Sequence, residues 1–76
     1  VYFYNSKIGL MQINLDKVTN RFILIINNVC YGTYHSAKAT ADDVYIHTTS
    51  CDEWDMLDGE VYNVPDDING WVKKLY

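Results

Sequence analysis

The run Phe22-Ile23-Leu24-Ile25-Ile26 is the longest unbroken apolar stretch in the chain, and it constrains the fold more than any other feature. Five residues are far short of the roughly 20 needed to cross a bilayer. Successive side chains of a strand point to opposite faces, so a strand apolar at every position must be central and covered on both sides. The segment before it has the other strand pattern: Met11, Ile13 and Leu15 alternate with Leu10, Gln12 and Asn14, which predicts a strand with one face on the core. Val1-Tyr2-Phe3-Tyr4 reads as a short aromatic strand, with Asn5-Ser6-Lys7 as the turn that follows. Asn27-Asn28 tolerates positive φ and suits a tight hairpin turn, from which Val29 to Tyr34 returns as another strand. The first half therefore predicts an antiparallel meander.

Helix signals begin at Ser36. Its hydroxyl is placed to cap a helix over 37–48, in which Ala37, Thr40, Ala41, Val44 and Thr48 share one arc and Ile46 points almost opposite. Small side chains on that arc let a helix sit close to a sheet. Ser50-Cys51-Asp52-Glu53 matches the capping-box pattern ahead of a short helix carrying Trp54 and Leu57, and Asp58-Gly59 ends it as a turn. Val61-Tyr62 follows as a brief extended piece. Pro65-Asp66-Asp67 then opens a last helix, with Ile68, Trp71, Val72 and Leu75 as its apolar side and Lys73 and Lys74 at its C-terminal end. The expected fold is a single α+β domain over 1–76, a three- to four-stranded antiparallel sheet packed against one helix, with short C-terminal helices. The second sheet face is left for the aromatic N-terminal strand, the Trp71 helix or a second copy of the chain.

A domain of 76 residues buries only about 60% of its unfolded surface, so a deep catalytic pocket would compete with the core for the same apolar side chains. A non-enzymatic protein is expected on that ground. The net charge of −4 conceals an uneven distribution: Lys7, Lys17, Arg21 and Lys38 face only Asp16 in the first half, whereas residues 39–72 hold nine acids and no Lys or Arg. Two cysteines, Cys30 and Cys51, are too few for a disulfide framework and read as reduced thiols. With no signal-peptide pattern, a cytoplasmic location is expected, with no membrane association.

Gly32-Thr33-Tyr34-His35-Ser36-Ala37, with Ala41 a turn later, resembles the AP2-type DNA-binding domain, where a strand ending in Gly-Thr-aromatic enters an alanine-rich helix after a three-stranded sheet. The likeness implies an exposed sheet face carrying Arg and Trp into a DNA groove. Here that face offers Leu10, Gln12, Asn14 and an isoleucine of the 22–26 strand, and Arg21 is the sole arginine. Direct DNA binding is not expected from a face without a basic stripe beside so acidic a segment. The longer run from Tyr34-His35-Ser36-Ala37 through Ala41-Asp42-Asp43-Val44-Tyr45-Ile46-His47-Thr48-Thr49 to Trp54-Asp55 is similar to a group of small proteins of Gram-positive bacteria and their phages. That likeness implies a bacterial cytosolic setting and no particular activity.

Among residues that could carry chemistry, the acids come first. Asp42, Asp43, Asp52, Glu53, Asp55, Asp58 and Glu60, with Tyr45, Ile46 and Trp54 among them, form a candidate surface for docking on a basic protein, since complementary potentials steer such encounters. Trp54 fits two roles, a binding anchor among carboxylates or a core residue at helical spacing from Leu57. The run Asp52 to Glu60 lacks the spacing of an EF-hand loop, and no cofactor is expected. Cys30, His35, His47 and Cys51 have the residue types of a zinc site without its tight spacing, and supply the only nucleophile and base candidates. The expected function is a small acidic binding module that docks on a basic protein surface, with a nucleic-acid-mimicking inhibitor of a phage anti-defence kind as its narrower form. An AP2-like nucleic-acid-associated module and a small metal-stabilised domain are the alternatives.

Overall fold

The computed structural model describes residues 1–61 and 64–74 and is α+β. Five antiparallel strands, β1 (Tyr2–Ser6), β2 (Gly9–Asp16), β3 (Arg21–Ile26), β4 (Val29–Tyr34) and β5 (Val72–Lys73), form one sheet in the order β4-β3-β2-β1-β5. The meander from β1 to β4 follows the sequence pattern. Asn27 and Asn28 both take positive φ, 50° and 68°, the pair of left-handed residues that a two-residue hairpin favours. The Asn27 side chain also donates to the Ile8 carbonyl at 2.8 Å, tying the β3–β4 turn to the β1–β2 turn. A Cβ on Gly9, whose φ is +133°, would collide with that Asn27 side chain.

Helix α1 (Ala37–Tyr45) begins as the sequence predicts: the Ser36 hydroxyl accepts from the Ala39 amide at 3.0 Å. Its buried residues Ala37, Thr40, Ala41 and Val44 rest on β3 and β4. The sheet answers with Met11, Ile13, Leu24 and Ile26, and the cluster is completed by Cys51, Trp54 and Trp71. The helix α2 (Asp52–Asp55) is a single turn whose role is to place Trp54 in this cluster.

Four expectations are corrected. The sheet has five strands rather than three or four, because Val72–Lys73 adds to the edge of β1. Helix α1 ends at Tyr45 rather than 48, because His47 adopts φ 58°, and Thr48, expected on the buried arc, is exposed. The capping box does not form: Ser50 has φ 71°, Cys51 holds the cap position, and no side chain caps α2. The last helix is absent over the described residues. Asp67 caps a single 3-10 turn, Ile68–Gly70, after which Val72 and Lys73 pair with Phe3 and Tyr2 as the fifth strand. The Leu75 position of that expected helix and the Tyr62 position of the extended piece lie outside the described residues.

The pairing also decides what covers the second sheet face. Both β1 and β5 extend the sheet edgewise instead of lying across it, so neither the aromatic strand nor the Trp71 segment shields that face. Among the described residues no helix is long and apolar enough to cross a membrane.

Candidate functional site

The end of α1 is built by a Schellman motif. The His47 amide donates to the Val44 carbonyl at 3.2 Å and the Thr48 amide to the Asp43 carbonyl at 3.0 Å, closing the last turn around a left-handed residue. Glycine or asparagine is usual there, and histidine is retained because its ring is held: Nδ1 donates to the Trp54 carbonyl at 2.8 Å, and the ring stacks on the Trp54 indole at 4.4 Å and 18°. This turn throws Tyr45 and Ile46 outward, 48% and 54% exposed, while the residue after them is buried.

Beside that turn lies a cleft of about 460 Å³ lined by Tyr45, Ile46, His47, Asp58, Gly59, Val61 and Val64. Its lining is mixed: Tyr45, Ile46, Val61 and Val64 bring apolar side chains, polar atoms take about as much of the surface, and Asp58 is its acidic member. Gly59, at φ 82°, makes the turn that brings Val61 and Val64 back against the helix end. Exposed Glu60 follows Gly59 in the chain.

Of the ten residues expected on the docking surface, two are committed to the fold. Trp54 is fully buried, its Nε1 donating to the Val44 carbonyl at 2.9 Å and its ring meeting Tyr4 edge-on at 6.3 Å, so it is no surface anchor. Asp55 is turned inward: one carboxylate oxygen accepts from the Thr49 amide and hydroxyl, both at 2.9 Å, and the other from the Ser50 amide at 3.0 Å. Asp43 lies beside the Tyr34 hydroxyl, and Asp42 makes a surface pair with Lys38 at 3.4 Å across a helical turn. The remaining six are exposed in two places. Tyr45, Ile46 and Asp58 meet at the cleft, with Glu60 close along the chain, whereas Asp52 and Glu53 sit at the start of α2, where their charges act on Tyr31.

The Tyr34 hydroxyl is pushed up to about 12, first by burial, then by the Asp43 carboxylate beside it and by the charge of Asp55. Because its folded value lies above the unfolded one of about 10, the stabilisation is complete below pH 10 and is lost as pH rises from 10 through 12. Burial raises Tyr4 in the same direction. Thermal unfolding followed across that range should show a steep alkaline loss, and Tyr34→Phe should flatten it without abolishing it; an unchanged alkaline limb would contradict this packing.

Cys30, His35, His47 and Cys51 do not come together. Cys30 is exposed on the open side of the sheet opposite Ile25, Cys51 is buried beside Tyr31, and the His47 Nδ1 is engaged by a carbonyl. Among the described residues no three His, Cys, Asp or Glu side chains converge as a metal site would require. The sequence reading missed His47, Gly59, Val61 and Val64 as cleft residues. The available signal was two valines three positions apart in a segment with no strand or helix period. The comparisons assign no family: no protein-family model matches the chain, and no curated protein or solved structure is significantly similar to it.

Proposed function

We propose that the chain is a non-enzymatic binding module that takes an apolar side chain of a basic partner protein into the cleft beside α1. One observation carries this reading: Tyr45 and Ile46 are exposed together at a cleft of mixed polar and apolar lining whose charged member is Asp58. Exposed aromatic and aliphatic side chains at a concavity supply the binding energy of an interface, and nearby carboxylates select a cationic neighbour and speed its approach. The partner segment is therefore a leucine-sized or aromatic residue flanked by Lys or Arg. The partner-binding residues are Tyr45, Ile46 and Asp58, supported by Val61 and Val64, with Glu60 adding to the field. Free thiols on opposite sides of the sheet agree with a reducing, cytoplasmic setting.

The nucleic-acid alternative finds less support. The open sheet face that such binding would use presents Leu10, Gln12, Asn14, Ile23 and Ile25, with Arg21 at one end opposite Asp16. A duplex needs several cations along one face.

Fluorescence anisotropy with a labelled lysine-rich peptide containing one leucine tests the proposal. Ile46→Lys should weaken binding by about tenfold or more. Asp58→Asn should weaken it a few-fold and reduce its salt dependence. Asp52→Asn with Glu53→Gln, away from the cleft, should change it little. Equal binding by wild type and Ile46→Lys, or equal binding of a peptide with glycine in place of leucine, would overturn the assignment.

A further inference from the structure

Two pairs in the chain place glycine directly after an Asp or Asn, Asp58-Gly59 and Asn69-Gly70. With no side chain in the way, a glycine amide nitrogen can bond to the Cγ of the residue before it. By leaving group alone Asn69 is the more reactive, since ammonia leaves an amide more readily than water leaves a carboxyl group. We propose that the fold reverses this order, and that Asp58 is the position at which the folded chain rearranges to an isoaspartyl linkage.

The rearrangement needs only water. The Gly59 nitrogen gives up its proton and bonds to Asp58 Cγ, and a carboxyl oxygen departs as water, closing a succinimide ring. Water then adds to the Asp58 backbone carbonyl carbon and the bond from that carbon to the Gly59 nitrogen breaks. The chain now runs through Cγ with its composition unchanged, longer by one backbone carbon, and the former backbone carbonyl has become the free carboxylate. Val61 and Val64 follow this turn, so their side of the cleft moves with it.

The turn at Asp58 leaves the reacting atoms free. The Glu60 amide donates to the Leu57 carbonyl at 2.8 Å, and Gly59 has φ 82° after an Asp58 of negative φ, which is a type II turn. The peptide between its two central residues takes no part in the closing bond. Among the described residues no acceptor engages the Gly59 amide. Asp58 and Gly59 are both exposed, and the space where a Gly59 Cβ would sit holds no atom within 4 Å, so the peptide has room to rotate.

The turn at Asn69 is closed to the same reaction, although Asn69 is also exposed. The nitrogen that would attack, that of Gly70, donates to the Asp67 carbonyl at 3.0 Å, and the Asn69 amide donates to the Asp67 carboxylate at 3.2 Å. Pro65 crowds the glycine, 2.8 Å from where its Cβ would stand, and the buried Trp71 anchors the next residue. Asn69 therefore reacts only when this segment opens, and the opening costs free energy that the Asp58 turn does not require.

Peptide mapping of the protein kept for weeks at neutral pH and physiological temperature, in buffer and in guanidinium chloride, tests this. An endoproteinase that cuts before Asp but not before isoaspartate reads position 58, and the gain in mass on loss of ammonia reads position 69. In buffer, conversion at Asp58 should exceed that at Asn69 several-fold; in guanidinium chloride the order should reverse. Asp58→Asn gives both turns the same leaving group, so in buffer its residue 58 should convert far faster than Asn69. Asp58→Glu should form no isomerised linkage there in the same time. Asn69 converting as fast as Asp58 in the folded wild type, Asp58 left intact, or Asn69 converting first in Asp58→Asn would each overturn the proposal.

Discussion

Trp54→Ala should leave the domain largely unfolded at room temperature, or with a melting temperature lowered by at least about 15 °C. Removing a fully buried aromatic side chain costs about 3–5 kcal/mol, against a total stability of roughly 4–11 kcal/mol for a chain of 76 residues. Three contacts go with the ring. The Val44 carbonyl loses its indole donor, His47 loses the surface that holds it in the left-handed turn, and Tyr4 loses its edge contact. Trp54→Phe keeps part of the volume and loses the donor, so its cost should be smaller. Melting curves of the three proteins check the order. A Trp54→Ala protein that melts like wild type but no longer binds its partner would return Trp54 to the surface role its acidic neighbours suggested.

Asp55→Ala should destabilise the domain by about 2–4 kcal/mol, well beyond the effect of neutralising Asp52 or Glu53, which should stay within about 0.5 kcal/mol. The difference lies in what the carboxylate does. Asp55 gathers two amides and a hydroxyl from Thr49 and Ser50, and the Thr49 hydroxyl in turn accepts from the Cys51 amide at 3.2 Å. Those donors sit at the strained Ser50, and without the carboxylate the buried Thr49 groups lose their acceptor. Urea unfolding of Asp55→Ala beside Asp52→Asn separates the two kinds of acid. Equal midpoints would show that Asp55 is one more solvated charge.

The contrast between Asp55 and Asp52 shows why the site was only partly legible. Sequence separates acids from bases, but it cannot tell a carboxylate pointing at amides from one pointing at water when both flank the same tryptophan. Strands β2 and β3 and the Asn27-Asn28 hairpin were legible because their signals are local: period-two alternation, a doubly apolar run and residues that accept positive φ. The Ser36 cap was legible for the same reason. The end of α1 was not, because a histidine held by stacking occupies a position usually marked by glycine. Pro65-Asp66-Asp67 carries real helix-start signals, yet only one turn forms. Edge pairing of Val72 and Lys73 with β1, a contact across most of the chain, outweighs local propensity there.

The run at 22–26 marked a strand apolar on both faces; α1 packs against one, and neither β1 nor β5 lies across the other. The open sheet face and the cleft beside Asp58 are separate surfaces, and the proposed partner belongs to the cleft. Amide chemical-shift mapping during titration with the lysine-rich, leucine-containing peptide tests the cleft assignment most directly. Shifts should concentrate at Tyr45, Ile46, His47, Gly59, Val61 and Val64 and be absent in Ile46→Lys. Shifts concentrated instead at Gln12, Asn14 and Ile25, or at Asp52 and Glu53 alone, would contradict it.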